Sequence, residues 1–317
     1  MITEQLIAEQ LVTEGAQGNL PRGRKPTFLH LNSSRIVVIG VAISPGETTL
    51  VVADLAFNFL IRDSMQMRGE AHQFVAELSQ RIRSIKAAAP QLTFAGVGIT
   101  LPGRVDPASG QVVFAPSLPW SLSDLKVSLA EAVGIPVEIE NSANACVLAE
   151  LWSGRYPETV QNMIAVVVAD GVEVGMLMDG QLVRGAGGLA GEFGHVTVQE
   201  HGPACRCGNR GCLAVCGSNA AAVRVYAEQT PAAAAISFAA IRKQADRGER
   251  AAVQALQRMA QCLGRGIVML VAGLSPDVIL LAGELTDSWR LIGPVIDQVL
   301  AQQLPAGFRN PGGARGR

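Results

Sequence analysis

The stretch EFGHVTVQEHGPACRCGNRGC, residues 192–212, gathers one imidazole and three thiols into a single loop. Neutral imidazole and thiolate are the donors that zinc takes tetrahedrally, at about 2.0 and 2.3 Å respectively. His195, Cys205, Cys207 and Cys212 supply four such donors, so no coordination position stays open and the ion would be structural. Cys205 and Cys207 stand two apart, a tight chelate, and Gly208 and Gly211 let the backbone curl around the ion. The alternative is a set of free cysteines in a flexible loop beside an unrelated core histidine. The chain holds six cysteines, and three of them fall between 205 and 212, which favours metal over disulfides. Cys146, Cys216 and Cys262 read as buried small hydrophobes.

A second chemical feature lies near the start. LPRGRKP, residues 20–26, flanks Gly23 with Arg22 and Arg24 and adds Lys25. Such a segment lies flat in a narrow minor groove, with guanidiniums in its negative potential and the lysine near phosphate. Taken alone it fits an ordinary solvated basic turn equally well.

Elements that position these groups follow from periodicity. The chain has 317 residues, enough for two domains or one α/β unit in two lobes. Apolar residues make up 49%, which supports a sizeable core and excludes global disorder. A net charge of −1 gives no global field toward nucleic acid or membrane, so any basic footprint is local. Aromatics are only 4%, which argues against single-strand stacking platforms. The first residues carry no secretory signal, and no run reaches the roughly 18 apolar residues of a membrane span. These readings place the protein in the cytoplasm.

Residues 3–15 read as a helix through Leu6, Ile7 and Leu11. A turn, the basic tip and a short strand follow, as in a helix with a wing. Strands are expected at 35–43, 48–55 and 57–63, a helix at 71–88, and a strand at 94–101. Helix 122–133, strand 136–139 and helix 142–154 continue the α/β alternation. The second half repeats the opening with strands 163–169 and 173–179. Helix 249–274 keeps Leu256, Met259, Leu263, Ile267, Leu270 and Leu274 on one face. Strand 277–283 and helix 288–302 close the periodic part. Residues 305–317, PAGFRNPGGARGR less its periodicity, read as a disordered tail.

The motifs resemble those of the ROK family of bacterial sugar kinases and sugar-responsive repressors. The likeness is carried by Gly188, Gly191, Glu192, Gly194 and His195, followed by Cys205 to Leu213. GVGITLPGRVDPASG (96–110), PVEIENSANACVLAE (136–150) and DGQLVRGAGGLAGEFGH (179–195) extend it. The resemblance implies an α/β, two-lobed actin-like sugar-kinase (ribonuclease H-like) ATPase fold, preceded by a remnant of a winged helix-turn-helix. It implies domains at 1–33 (partial winged helix), 34–155 (N-terminal lobe) and 156–304 (C-terminal lobe with the zinc loop), then the tail. In the family the four ligand types hold zinc, and the same His with its preceding Glu faces sugar hydroxyls.

Against the family's kinase pattern the chain departs at four places. The first phosphate loop reads GVAISPGETTL, with Ala42 at the Asp position and Pro45 lacking an N–H. The second reads GVEVG, and Glu173 sets a carboxylate where backbone should approach a polyanion. Ser142 occupies the position of the catalytic Asp and has no useful basicity at neutral pH. Ala214 replaces a sugar-binding Glu. The bland role of Ser142 is an N-cap.

These departures predict no catalysis and a transcriptional regulator of repressor type. Its effector would bind in the interlobe cleft at Pro102, Gly103, Asn141, Glu192 and His195. Arg22, Gly23, Arg24 and Lys25 would contact operator DNA, and the regulator would be a homodimer or homotetramer, with no membrane partner. Kinase activity and a sugar sensor that no longer binds DNA are the competing readings. Only one helix precedes the wing where the family has three, and the strand and helix that follow residue 304 in the family are not evident. A late start, a decayed regulator or a frameshifted end is therefore expected.

Overall fold

A computed structural model describes residues 2–9, 11–17, 27–33, 35–67, 69–153, 156–157, 159–231, 236–305 and 315–316. The chain divides into two compact units, Met1–Asn141 and Ser142–Arg317.

The first unit begins with helix α1 (Ile2–Ala8) and a hairpin of β1 (Val12–Gln17) and β2 (Thr27–Leu31). Residues 11–15 were expected to prolong the helix. From Val12 on they form a strand because β-branched Val12 and Thr13 pair with Leu31 and His30, so the backbone groups are satisfied across the hairpin. A cross-strand partner is invisible to a local reading of helical spacing. The basic segment 18–26, with Arg22, Gly23, Arg24 and Lys25, lies outside the described residues.

The unit's main sheet takes β3 (Ile36–Ile43), β4 (Glu47–Asp54), β5 (Phe59–Gln66), β6 (Thr93–Leu101) and β9 (Val137–Asn141) in the order β5-β4-β3-β6-β9. A small hairpin, β7 (Arg104–Val105) and β8 (Val112–Phe114), interrupts the path between β6 and β9. Alternation decides the buried face. Val37, Ile39, Val41 and Ile43 of β3 pack on Phe74, Leu78 and Ile82 of α2 (Ala71–Ala88) and Leu125, Leu129 and Val133 of α3 (Leu125–Val133). Arg81 of α2 donates to Asp63 of β5 at 2.7 Å, which fixes the helix along the sheet edge.

In the second unit, β10 (Met163–Val168), β11 (Val172–Met178), β12 (Gln181–Leu182), β13 (Val278–Ala282) and β14 (Arg315–Gly316) form a sheet ordered β12-β11-β10-β13-β14. Both sheets share one pattern, an antiparallel pair followed by parallel strands. The uninterrupted apolar run of β10 is explained by burial on both faces. Ile164, Val166 and Val168 join the core built with α6 (Asn219–Gln229), α7 (Phe238–Asp246), α8 (Arg250–Leu274) and α9 (Trp289–Gln303). Met163 and Ala165 face α4 (Ser142–Trp152) through Val147. Because α4 packs on β10 and β11, it belongs to the second unit, and the expected division at 155 moves to 141.

Helix α8 buries Leu256, Met259, Leu263, Ile267 and Leu270 as its spacing predicts. Its start is set by Glu249, whose carboxylate accepts from the backbone of Ala251 and Ala252 at 3.1 and 2.7 Å. The expectation of a wholly disordered tail is corrected at its end. Arg315 and Gly316 pair in parallel with Leu280 and Leu281, since the edge of β13 offers unpaired backbone groups to any extended segment. Among the described residues no helix is long and apolar enough to cross a membrane.

Candidate metal centre and effector residues

The loop carrying the histidine lies directly on β11. Glu192–His195 forms a 3-10 turn, and a Cβ at Gly191 or Gly194 would overlap the carbonyl oxygens of Val174 or Val172. Glycine at both positions lets backbone rest on backbone. The cysteine segment then folds back on the same loop. Thr197 bridges Cys212 and Ala204 bridges Arg210, both antiparallel. The N–H of Leu213 donates to Val196 O at 2.9 Å, and that of Cys205 to Asn209 O at 2.8 Å. Gly208 and Gly211 adopt φ of +94° and +66°, the curl anticipated for them.

This folding brings the donor atoms of His195, Cys205, Cys207 and Cys212 within 4.8 Å of one another. His195 Nδ1 stands 3.5 Å from Cys205 Sγ, and the sulfurs of Cys207 and Cys212 are 3.6 Å apart. Donors around one tetrahedral zinc are separated by about 3.5 to 3.8 Å, the distance set by bond lengths of 2.0–2.3 Å. The residues therefore fit the ion in kind, number and spacing. When bound, zinc would tie four side chains of one loop together and supply no open position for chemistry.

The second ring nitrogen, Nε2, faces Glu192 Oε2 at 3.7 Å. With Nδ1 against the thiol of Cys205, Nε2 is left facing the carboxylate, beyond hydrogen-bond distance. Both residues remain solvent-accessible, with side chains 42% and 51% exposed, so a ligand can reach them. Burial first, and the neighbouring thiol of Cys207 second, push the Cys212 thiol up to about 12. The backbone N–H of Asn209 draws the Cys207 thiol below its ordinary value. Two anchors had no signal in the sequence. Arg265 of α8 donates to Val198 O at 3.3 Å, and Arg224 of α6 donates to Val215 O at 2.8 Å.

Pro102, Gly103 and Asn141, expected from the sequence as effector contacts, lie in the first unit, at the C-terminal ends of β6 and β9. Asn141 Nδ2 donates to Gly103 O at 2.8 Å, which holds the Pro102–Gly103 turn against the end of β9. Parallel strands present ligand-contacting groups at these ends. The structure thus joins Pro102, Gly103 and Asn141 in one unit, and Glu192 and His195 in the other.

The positions compared with kinase loops are ordered. Ala42 is the penultimate residue of β3, paired with Thr49 and Thr100, and Ser44 N donates to Glu47 O at 3.0 Å to close a turn through Pro45. Glu173 pairs with Val167, Ser142 is the first residue of α4, and Ala214 lies in α5 (Leu213–Cys216). Cys216 and Cys262 are buried in the second unit's core, as small hydrophobes would be, while Cys146 is half-buried.

A model of the ROK family matches residues 38–312. A putative xylose repressor from Caldicellulosiruptor sp. (strain Rt8B.4) is 32% identical over 304 residues, covering 89% of this chain and 74% of its own. A solved ROK-family transcriptional regulator, a homologue of the E. coli MLC protein, superposes with a TM-score of 0.85 at 26% identity, covering 99% of this chain and 82% of its own. A ROK-family glucokinase from Streptomyces griseus, solved with glucose and AMPPNP, superposes at 0.76 with 27% identity and coverage of 88% and 93%.

Proposed function

The chain belongs to the ROK family, and from that premise we propose that it is a sugar-responsive transcriptional regulator of repressor type. The observation that carries this is the 32% identity to a putative xylose repressor, joined by the superposition on a ROK regulator. A serine at position 142 adds support, since a hydroxyl cannot replace a carboxylate that accepts a sugar proton.

In this reading zinc at His195, Cys205, Cys207 and Cys212 fixes the loop that presents Glu192. Glu192, His195, Asn141 and the Pro102–Gly103 turn are the groups offered to the sugar or sugar derivative. The hairpin β1–β2 is the wing of a DNA-binding head, and Arg22, Gly23, Arg24 and Lys25, which fall between its two strands in sequence, enter a minor groove. Effector binding shifts a two-state equilibrium between forms with different spacing of the heads in a homo-oligomer.

Mobility shift with DNA from upstream of the protein's own gene tests the assignment. A sequence-specific complex is expected, losing at least about tenfold in affinity between 50 and 200 mM salt as phosphate contacts release counterions. A shift that ignores sequence, or no shift, leaves the reading of a sugar sensor without operator. Superposition on a glucokinase favours the kinase as the second reading. Purified protein given ATP, magnesium and a panel of hexoses is expected to release no ADP above the sugar-free rate. Hexose-dependent release would return catalysis to the chain.

Asn141→Ala tests the effector residues. It removes a polar contact to the sugar and also frees the Gly103 carbonyl. The sugar concentration that dissolves the DNA complex should rise about tenfold, the effect of losing roughly 1–2 kcal/mol of hydrogen bonding. An unchanged response curve removes Asn141 from the set.

A further inference from the structure

The four donors of the cluster are unequal in access. Cys207 is exposed at the tip of the loop, whereas Cys212 is fully buried beneath it. Their sulfurs are 3.6 Å apart. Cys205 faces the imidazole of His195 at 3.5 Å and also lies against the thiols of Cys207 and Cys212. A disulfide needs sulfurs at about 2.05 Å, so Cys207 and Cys212 must close by about 1.5 Å. Gly208 and Gly211, between the two cysteines, carry positive φ, and a Cβ at Gly208 would meet open space.

We propose that Cys207 and Cys212 form a reversible disulfide when a hydroperoxide reaches the loop, making this centre an oxidant-responsive site. The exposed Cys207 sulfur attacks one peroxide oxygen. The O–O bond breaks, Cys207 becomes a sulfenic acid, and the other oxygen leaves as water or alcohol with one proton. The Cys212 sulfur, as thiolate, then attacks the Cys207 sulfur. The S–S bond forms, the S–O bond breaks, and hydroxide leaves as water with the second proton. The two sulfurs lose two electrons and the peroxide takes both; the two protons come from the thiols, or from solvent where the sulfurs start as zinc-bound thiolates.

Only His195 and Cys205 then remain as donors, and two donors cannot close a tetrahedral site. The ring of His195 is released from the position in which its Nε2 faces Glu192, so effector response fails under oxidant. This consequence rests on the proposed zinc and effector roles, whereas the disulfide itself rests on the sulfur geometry.

The test treats the whole protein, purified under reductant and then freed of it, with hydrogen peroxide. Tryptic mass mapping and a colorimetric zinc chelator are read together. The expected result is a Cys207–Cys212 cross-link, lighter by about 2 Da, with Cys205 still alkylatable, reversal by dithiothreitol, and zinc released in step. Cys207→Ser should give no cross-link, while Cys146→Ser should cross-link like the parent. A bond through Cys205 overturns the proposal. So does sulfinic acid at Cys207 with Cys212 free, or unreacted thiols where Cys207 alkylates readily. A cross-link in protein that held no zinc beforehand upholds the disulfide and sinks the metal reading; zinc without a cross-link does the reverse.

Discussion

Cys212→Ser protein should purify with less than about a tenth of an equivalent of zinc, where the parent should carry about one, and should melt more than about 5 °C lower. Cys212 is the donor with the most to lose. It is fully buried, it caps α5, and its neighbours pair across the loop through Thr197 and Val196. A serine oxygen keeps its proton far more tightly than a thiol and does not replace a soft thiolate. Three donors would be left to close the loop. Metal analysis by mass spectrometry and a thermal melt check both halves; full zinc in the variant would remove Cys212 from the ligand set.

The pH dependence of the same site follows from the thiol's raised value. A Cys212 thiol pushed to about 12 is neutral at pH 7, so without metal the buried position costs the fold nothing there. Its stabilising contribution is present below the ordinary thiol value of 9.0 and is lost only as pH climbs toward 12. With zinc the sign reverses, because each bound thiolate must surrender a proton that acid returns. The zinc-loaded protein is therefore the one that weakens on acidification.

Periodic elements were legible and pairings between distant segments were not. The helix α2 falls at 71–88 as its spacing predicts, and the buried row of α8 runs through Leu256, Met259, Leu263, Ile267 and Leu270. Each is decided within its own segment. The stretch 11–15 failed because its strand exists only through Leu31 and His30, far along the chain. Arg315–Gly316 failed for the same reason, being held by the edge of β13. The metal cluster was legible because zinc's donor preference is written in residue type, and the folded loop needs only to close. Its anchors Arg265 and Arg224 were not, since an arginine on a helix gives no sign of the carbonyl it will meet. Helix α4 reads correctly as a helix, but only its packing on β10 and β11 decides which unit owns it.

Gly175→Ala should destabilise the protein by about 3 kcal/mol or more, although it adds a single methyl group. In sequence Gly175 closes the GVEVG stretch and looks like part of a phosphate loop. In the fold it is paired with Ala165 across β10 and β11, two small residues directly beneath α4. A Cβ there would lie 2.7 Å from Asn144 N and closer still to Ala143 O. Those atoms are the backbone of α4's first turn, so no flexible side chain can swing aside. The helix would have to lift from the sheet, opening the packing of Val147 on Met163. Gly171, at the other end of the stretch, offers the contrast. Nothing lies within 4 Å of its added Cβ, and alanine there should change stability by less than about 0.5 kcal/mol. Urea unfolding of both variants, each checked for retained zinc, separates the two roles. Equal and small effects would mean that α4 does not lean on β11 as closely as described. A large effect at 175 alone shows that this glycine is required by helix packing, independently of any nucleotide.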